Sequence, residues 1–481
     1  MQIKSPFSPL DLGDGMPILK VGYVHAVLAA WLGFVTLVAL IMPEKALFLL
    51  IGTTVAALGF AAFLFPGLAL ILGMISSMIS VENFLFFKNF TLNNDSFLNS
   101  SSFHKVILLA LMMPAILRYG LKSRMNPVIM ALVMMFLATF VFSTRLPGLD
   151  NAQVLQTLVG LAMPFIVFNM RLKPQWVDSH LTILAWFPII SIVLAYGAEF
   201  AGLKDTLGGS WANIRFEAFT GAYRMGGINI PASLAALAFV GFVISIFQAV
   251  LYQKKGYYGL AGLMVLITVF TGTRAPLAVE IIFAGLGILI SSNQDLRASA
   301  KLNFGIIGAV LLAVILIAYW PNLEARFVRQ GSGEGLNTSG RTQIWDIEYQ
   351  AFEQNPLFGR GLGAGAIILL DQEWQNLKEA RATHNEFLRL LVDGGIVGLS
   401  AYLVGLFLLI RPECRGVNKT AGRLICVLFF AFAIYSFTDN TISSNYTLIF
   451  FYAVALLLYQ AQLAAQREEP PEIRRPGLNF A

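Results

Sequence analysis

Stretches of about 20 mostly apolar residues recur from Val21 to Leu463, each long enough to cross the hydrocarbon core of a bilayer as a helix. Candidate spans fall at 22–42, 46–64, 66–83, 103–118, 127–144, 152–170, 179–199, 231–252, 257–272, 275–292, 303–320, 385–410, 423–437 and 446–463. The second and third meet at Phe65-Pro66, where one segment could instead be re-entrant. Composition agrees with this reading. Hydrophobic residues make up 57% of the 481 and charged residues 12%, about half the charge of a soluble chain. A soluble multidomain protein is excluded, and so is disorder, which needs low hydrophobicity and high net charge. The expected fold is an all-α polytopic transmembrane helix bundle of about 12–14 spans.

The net charge of +6 is no nucleic-acid signal here, because Lys and Arg in a membrane protein mostly set topology. With the N-terminus inside, the inner segments collect Arg118, Lys122, Arg171, Lys173, Lys254, Lys255, Arg411, Arg415, Lys419 and Arg423, while the short outer loops hold few cations. The expected arrangement has a cytoplasmic segment at 1–20, a transmembrane domain at 21–463 and a disordered cytoplasmic tail at 464–481, with both termini inside. The first span reads as a signal anchor, since residues 1–20 carry no short apolar stretch ending in a small-residue cleavage site. Cys414 and Cys426 flank a loop expected in the cytoplasm, so no disulfide is expected. There is no Cys/His cluster with metal-ligand spacing.

Two outer loops, 201–230 and 321–383, are long and keep cations against the topological tendency, among them Arg215, Arg224 and Arg341. An anionic ligand on the outer face would explain them; so would an ordinary soluble surface, which long loops are free to carry. Within the second loop, residues 342–354 have the period of an amphipathic helix. Ile344, Trp345, Ile347, Tyr349, Ala351 and Phe352 share one face, and Glu348 falls within it. Gly359-Arg360-Gly361-Leu362-Gly363 reads as a flexible turn without a cofactor role. Of the four histidines, only His384 adjoins a long polar outer loop, at the mouth of a span. Imidazole there can take a proton from a hydroxyl, or be structural. Arg274 sits at an outer turn between spans, where a charge is costly unless paired or wet. Glu280 is an intramembrane carboxylate and a functional candidate for the same reason. Gly394, Gly395 and Gly398 suit close helix packing. Trp211, Trp345, Tyr349 and Trp374 lie in outer loops, able to stack on sugars or to anchor at the interface.

The run GRTQIWDIEYQAFEQNPLFGRGLGAG, followed by THNEFLRLLVDGGIVGL, resembles the O-antigen ligase/polymerase superfamily of bacterial membrane proteins. The resemblance is strong over Arg341 to Gly398 and extends by pattern back to Arg224. It implies a GT-C-like glycosyltransferase with a large periplasmic loop containing amphipathic helices. The implied enzyme works at the periplasmic face of the inner membrane on an undecaprenyl-diphosphate-linked glycan, in O-antigen or exopolysaccharide synthesis. The acceptor would be a growing glycan in a polymerase, slightly favoured on the number of spans, or the lipid A core in a ligase. Carried over by motif, Arg224, Arg274 and His384 are the implied catalytic residues. Arg215, Arg341, Glu348, Asn385 and Glu280 are the candidate substrate contacts. Guanidinium forks suit a diphosphate, and attack opposite that leaving group inverts the anomeric centre. No cofactor and no obligatory metal are expected, although Asp346, Glu348 and Glu386 leave the metal open. Expected partners are the donor, the acceptor, membrane lipids and a chain-length regulator or flippase, with no nucleic acid. The competing class is a transporter or flippase of lipid-linked oligosaccharide. It would place charges at mid-membrane and often repeats internally, and no repeat is present.

Overall fold

The computed structural model describes residues 66–79, 100–122, 127–147, 149, 151–203, 214–217, 222–290, 341–370, 383–441 and 445–468, with isolated positions at 62–65 and 313–320. Residues 1–65 form a unit of their own, and nearly all of it lies outside the described residues, including the N-terminal segment and the spans expected at 22–42 and 46–64. Apart from three isolated positions, the span expected at 303–320 also lies outside them, as do residues 321–340 and 371–382 of the second long loop, Trp211, Trp374 and the tail beyond 468.

The unit from Pro66 onward holds thirteen helices and one small hairpin among the described residues. In chain order these are α1 (Pro66–Ile79), α2 (Ser100–Tyr119), α3 (Pro127–Phe142), α4 (Asn151–Asn169), α5 (Pro174–Phe200), β1 (Ile214–Glu217), β2 (Ala222–Met225), α6 (Pro231–Leu251), α7 (Gly256–Thr271), α8 (Arg274–Ile290), α9 (Arg341–Glu353), α10 (Ala364–Leu370), α11 (Glu386–Arg415), α12 (Lys419–Thr438) and α13 (Asn445–Glu468). The protein is an all-α multi-pass membrane protein. Five described helices are long and apolar enough to cross a bilayer: α5, α6, α11, α12 and most of α13. Shorter apolar helices include α1, α3, α4 and α7.

Apolar character all round marks a buried helix, and α6 is the clearest case. It packs against α5, α7, α8 and α13, with nearly every side chain from Leu234 to Val250 buried. A ring cluster joins α6 to α12 and α13: Phe432 stacks on Phe450 at 4.3 Å and Phe239 on the same ring at 5.9 Å. Two serine hydroxyls inside the bundle bond back to their own helices, where lipid offers no partner. Ser245 donates to Gly241 O at 2.7 Å, and Ser436 to Phe432 O at 2.8 Å.

The loops segregate into two ends. At one end Lys122 reaches Glu413 at 3.4 Å, and Lys173 lies 4.4 Å from the Tyr119 ring centroid. At the other, Leu146 N donates to Arg360 O at 3.0 Å, and Arg341 Nη1 donates to Thr438 O at 2.6 Å.

Two features differ from the sequence expectation. The 201–230 loop carries the β1–β2 hairpin, in which Arg215 pairs opposite Arg224. And α11 is broken at Gly395, with φ 64° and ψ −168°. The 356–361 segment fills the break: Ile396 N donates to Pro356 O at 2.9 Å, Arg360 N to Val392 O at 2.7 Å and Gly361 N to Asp393 O at 3.0 Å. A Cβ on Gly395 would lie 2.3 Å from the Leu357 carbonyl carbon, and one on Gly359 2.7 Å from backbone at Asp393. Both glycines have positive φ, which other residues rarely adopt. The Gly-rich segment is therefore a docked turn rather than a flexible one. Gly394 and Gly398 keep the packing role expected of them, each against Thr139 of α3.

Candidate active site

The helix α9 begins at Arg341, and its buried face is Ile344, Glu348 and Ala351, at helical spacing. The helix lies one residue from its expected bounds, and the face is rotated: Glu348 is at its centre and Tyr349 points out, about half exposed. Arg341 ties the start of α9 to the end of α12 through Thr438 O. Trp345 packs on Phe437 at 5.9 Å. The end of α12 and the segment entering α11 thus meet under α9.

His384 sits at that meeting point, half-buried, with φ 50°. The left-handed region is uncommon for a residue with a Cβ, and such strain persists only when the surroundings over-determine it. Here they do. His384 N donates to Asn440 Oδ1 at 2.7 Å. Its Nδ1 lies 3.1 Å from Asp439 Oδ1. The preceding Thr383 carbonyl accepts from Trp345 Nε1 at 2.9 Å, and Thr383 Oγ1 donates to Glu348 Oε1 at 2.6 Å. The following residue, Asn385, caps α11 by accepting from Leu388 N at 3.1 Å. Burial alone would raise the Asp439 carboxyl, but the hydrogen bond and charge of His384, with the Arg341 charge, hold it below its ordinary range. An ionised Asp439 orients the ring with Nδ1–H toward it and leaves Nε2 to accept a proton.

Two cations lie on one side of this pair, Arg341 within electrostatic range of Asp439 and Arg274 within range of Arg341. Arg274 opens α8 and Arg341 opens α9, so two guanidinium groups add to the partial positive charge of two helix N-termini. That sum is unfavourable without an anion and well suited to one. Arg224 of β2 is buried; its Nε donates to Thr271 O at 2.7 Å and its Nη2 to Thr273 Oγ1 at 2.8 Å. It braces the turn that presents Arg274.

The remaining candidates are placed as follows. Arg215 is in β1 opposite Arg224; its side chain is outside the described residues. Glu280 is wholly buried in α8, accepts from Thr268 Oγ1 at 2.9 Å, and lies in electrostatic range of Tyr435, as do Asp439 and Arg341. Glu348 and Asn385 are buried; Glu348 accepts from Thr383 and Asn385 caps α11. Asp439 and Asn440 were missed by sequence reasoning. The available signal was a carboxylate and an amide between the last two spans, where topology gives them no role. No group of three or more His, Cys, Asp or Glu side chains forms a metal-holding cluster among the described residues.

Residues 259–403 match the family model described as O-antigen ligase, consistent with the superfamily that the sequence resembles. That family points to a glycosyltransferase-type enzyme acting on lipid-linked glycan and acceptor substrates. No curated protein matches the chain. The match contains Arg274, Arg341 and His384, whereas Arg224, Asp439 and Asn440 lie outside it and reach the site through the fold.

Proposed function

We propose that the protein transfers a glycan from an undecaprenyl-diphosphate-linked donor to a sugar hydroxyl, at the periplasmic face of the bacterial inner membrane, with both termini in the cytoplasm. The observation that carries this is the convergence of the His384–Asp439 pair with Arg341 and Arg274 at one end of the bundle. A hydroxyl nucleophile needs a base, and a departing diphosphate needs fixed positive charge.

In this reading the acceptor oxygen attacks the anomeric carbon from the face opposite the diphosphate. Its proton passes to His384 Nε2, while Asp439 stabilises the imidazolium. The bond between the anomeric carbon and the phosphate oxygen breaks, and the lipid diphosphate leaves with the electron pair. Arg274 and Arg341 hold that growing charge bidentately. Arg224 keeps the Arg274 turn in place, and Arg215 lies opposite Arg224 on the neighbouring strand. The anomeric centre inverts.

Of the two acceptors, the reading takes the growing glycan of a polymerase rather than the lipid A core of a ligase. The test is transfer in proteoliposomes supplied with the lipid-diphosphate donor and, separately, each acceptor. A new glycosidic bond that His384→Ala and Arg274→Ala both abolish supports the proposal. Movement of donor across the bilayer with no new bond would instead identify a flippase.

A further inference from the structure

Beneath His384 lies a buried polar cluster that the transfer chemistry does not use. From α9 comes Glu348, wholly buried, and from α11 come Glu386, Arg389 and Asp393, with Glu386 and Asp393 almost without exposure. Arg389 Nε donates to Glu386 Oε2 at 2.8 Å, and Gly365 N of α10 donates to Asp393 Oδ1 at 3.0 Å. A Cβ placed on Gly365 would lie 3.5 Å from Glu348 Oε1, 3.7 Å from Asp393 Oδ1 and 3.1 Å from Arg389 Cγ, so the three side chains converge on one small residue. Glu348 Oε2 and Asp393 Oδ2 have no hydrogen-bond partner among the described residues. Three carboxyls therefore share one guanidinium, out of water.

Resting on the transfer reading, we propose that Glu348 and Trp345 are positioning residues for His384. Together they latch Thr383 by its hydroxyl and its carbonyl and so hold the left-handed backbone from which the imidazole meets Asp439. The latch is made of α9 alone, which ties the base to the loop helix that also carries Arg341. The latch closes with Glu348 uncharged; ionisation would strengthen the Thr383 bond itself but set Glu348 against the Asp393 and Glu386 carboxylates. Burial, together with the nearby carboxylates Asp393 and Glu386 and against the Thr383 hydrogen bond and the Arg389 charge, pushes the Glu348 carboxyl up to about 8. Above that pH a second unneutralised charge enters the cluster.

The test compares wild type with Glu348→Gln and Glu348→Ala in full-length protein, using the undecaprenyl-diphosphate-linked glycan donor. Glu348→Gln keeps the acceptor oxygen for Thr383. It is expected to hold kcat within about threefold at pH 7 and to lack the fall in rate that wild type undergoes through about pH 8. Glu348→Ala is expected to lose at least about tenfold in kcat with donor KM within about twofold. Identical pH profiles for wild type and Glu348→Gln, or a loss confined to KM, overturn the latch. A second readout needs no turnover: acylation of His384 by diethyl pyrocarbonate, followed by mass spectrometry of its peptide. Faster modification in Glu348→Ala than in wild type and Glu348→Gln supports the latch, and equal rates in all three refute it. If wild type transfers no glycan, the activity reading fails while the labelling still decides the latch.

Discussion

Replacing Asp439 with Asn removes one charge and almost no volume from the site. In the native arrangement the carboxylate lies 3.1 Å from His384 Nδ1, with side-chain exposures of 20% for Asp439 and 32% for His384. At that separation a full ion pair is worth about 1.3 kcal/mol if screened as in bulk water and about 5 kcal/mol at the effective dielectric of a protein surface. Partial exposure puts the pair between these limits, at about 3 kcal/mol. That energy acts only when the ring carries the acceptor's proton, so it belongs to the transition state and not to donor binding. The expected loss in kcat is on the order of a hundredfold, with donor KM unchanged. An amide at 439 can also donate to Nδ1, which turns the basic nitrogen toward the wrong side and adds to the loss. The assay is initial-rate glycan transfer in proteoliposomes over a range of donor concentrations. An Asp439→Asn enzyme within threefold of wild type would refute the reasoning, and a KM effect alone would mean that Asp439 touches the donor.

Arg224→Lys keeps the charge but loses the fork that spans Thr271 O and Thr273 Oγ1. It should lower transfer at least about tenfold, because a point charge does not replace a planar donor pair. Gly395→Ala forces a Cβ to 2.3 Å from the Leu357 carbonyl carbon at a φ of 64°. It should cost several kcal/mol, read as a lowered melting temperature and reduced yield in membranes. Stability should also depend on pH through Glu348, whose carboxyl titrates at about 8 in the native protein against 4.5 ordinarily. The native state then binds the extra proton between those values, so stability falls as pH rises from about 4.5 to about 8, by at most roughly 5 kcal/mol, and is flat above. Thermal melts of wild type against Glu348→Gln check the sign, since the amide should abolish that slope.

Much of the architecture was legible because lipid simplifies the problem. Ten expected spans, from 103–118 to 446–463 without 303–320, coincide with helices whose bounds differ by only a few residues. Apolar stretches of spanning length were enough to place them. The candidate site was half legible. His384, Arg274 and Arg341 stand out because charge near a membrane needs a reason. Asp439 and Asn440 stayed hidden because pairing with His384 spans 55 and 56 residues, and no local pattern encodes that closure. The hairpin holding Arg215 and Arg224 was hidden as well, since four-residue strands leave almost no period to read. The face of α9 is rotated for a physical reason: Glu348, which falls within the expected apolar face, centres the buried one through Thr383 and the α11 cluster.

The break in α11 and the strain at His384 are linked. An unbroken helix from Glu386 would leave no room for the 356–361 turn, whose backbone satisfies Val392 O, Asp393 O and Ile396 N. That turn runs from the end of α9 toward α10, and α10 brings Gly365 against Asp393 and Glu348. The glycine at 395 therefore fixes where α9 can lie, α9 fixes Thr383, and Thr383 fixes the backbone of His384. Irregular backbone within a spanning helix is tolerated only when protein covers it, and here the covering turn is what seats the loop helix. Loosening the turn should misplace the imidazole without altering any group that meets the substrate. In this protein, then, the position of the His384 imidazole depends on a kink eleven residues further along the chain, acting through the Thr383 that flanks it.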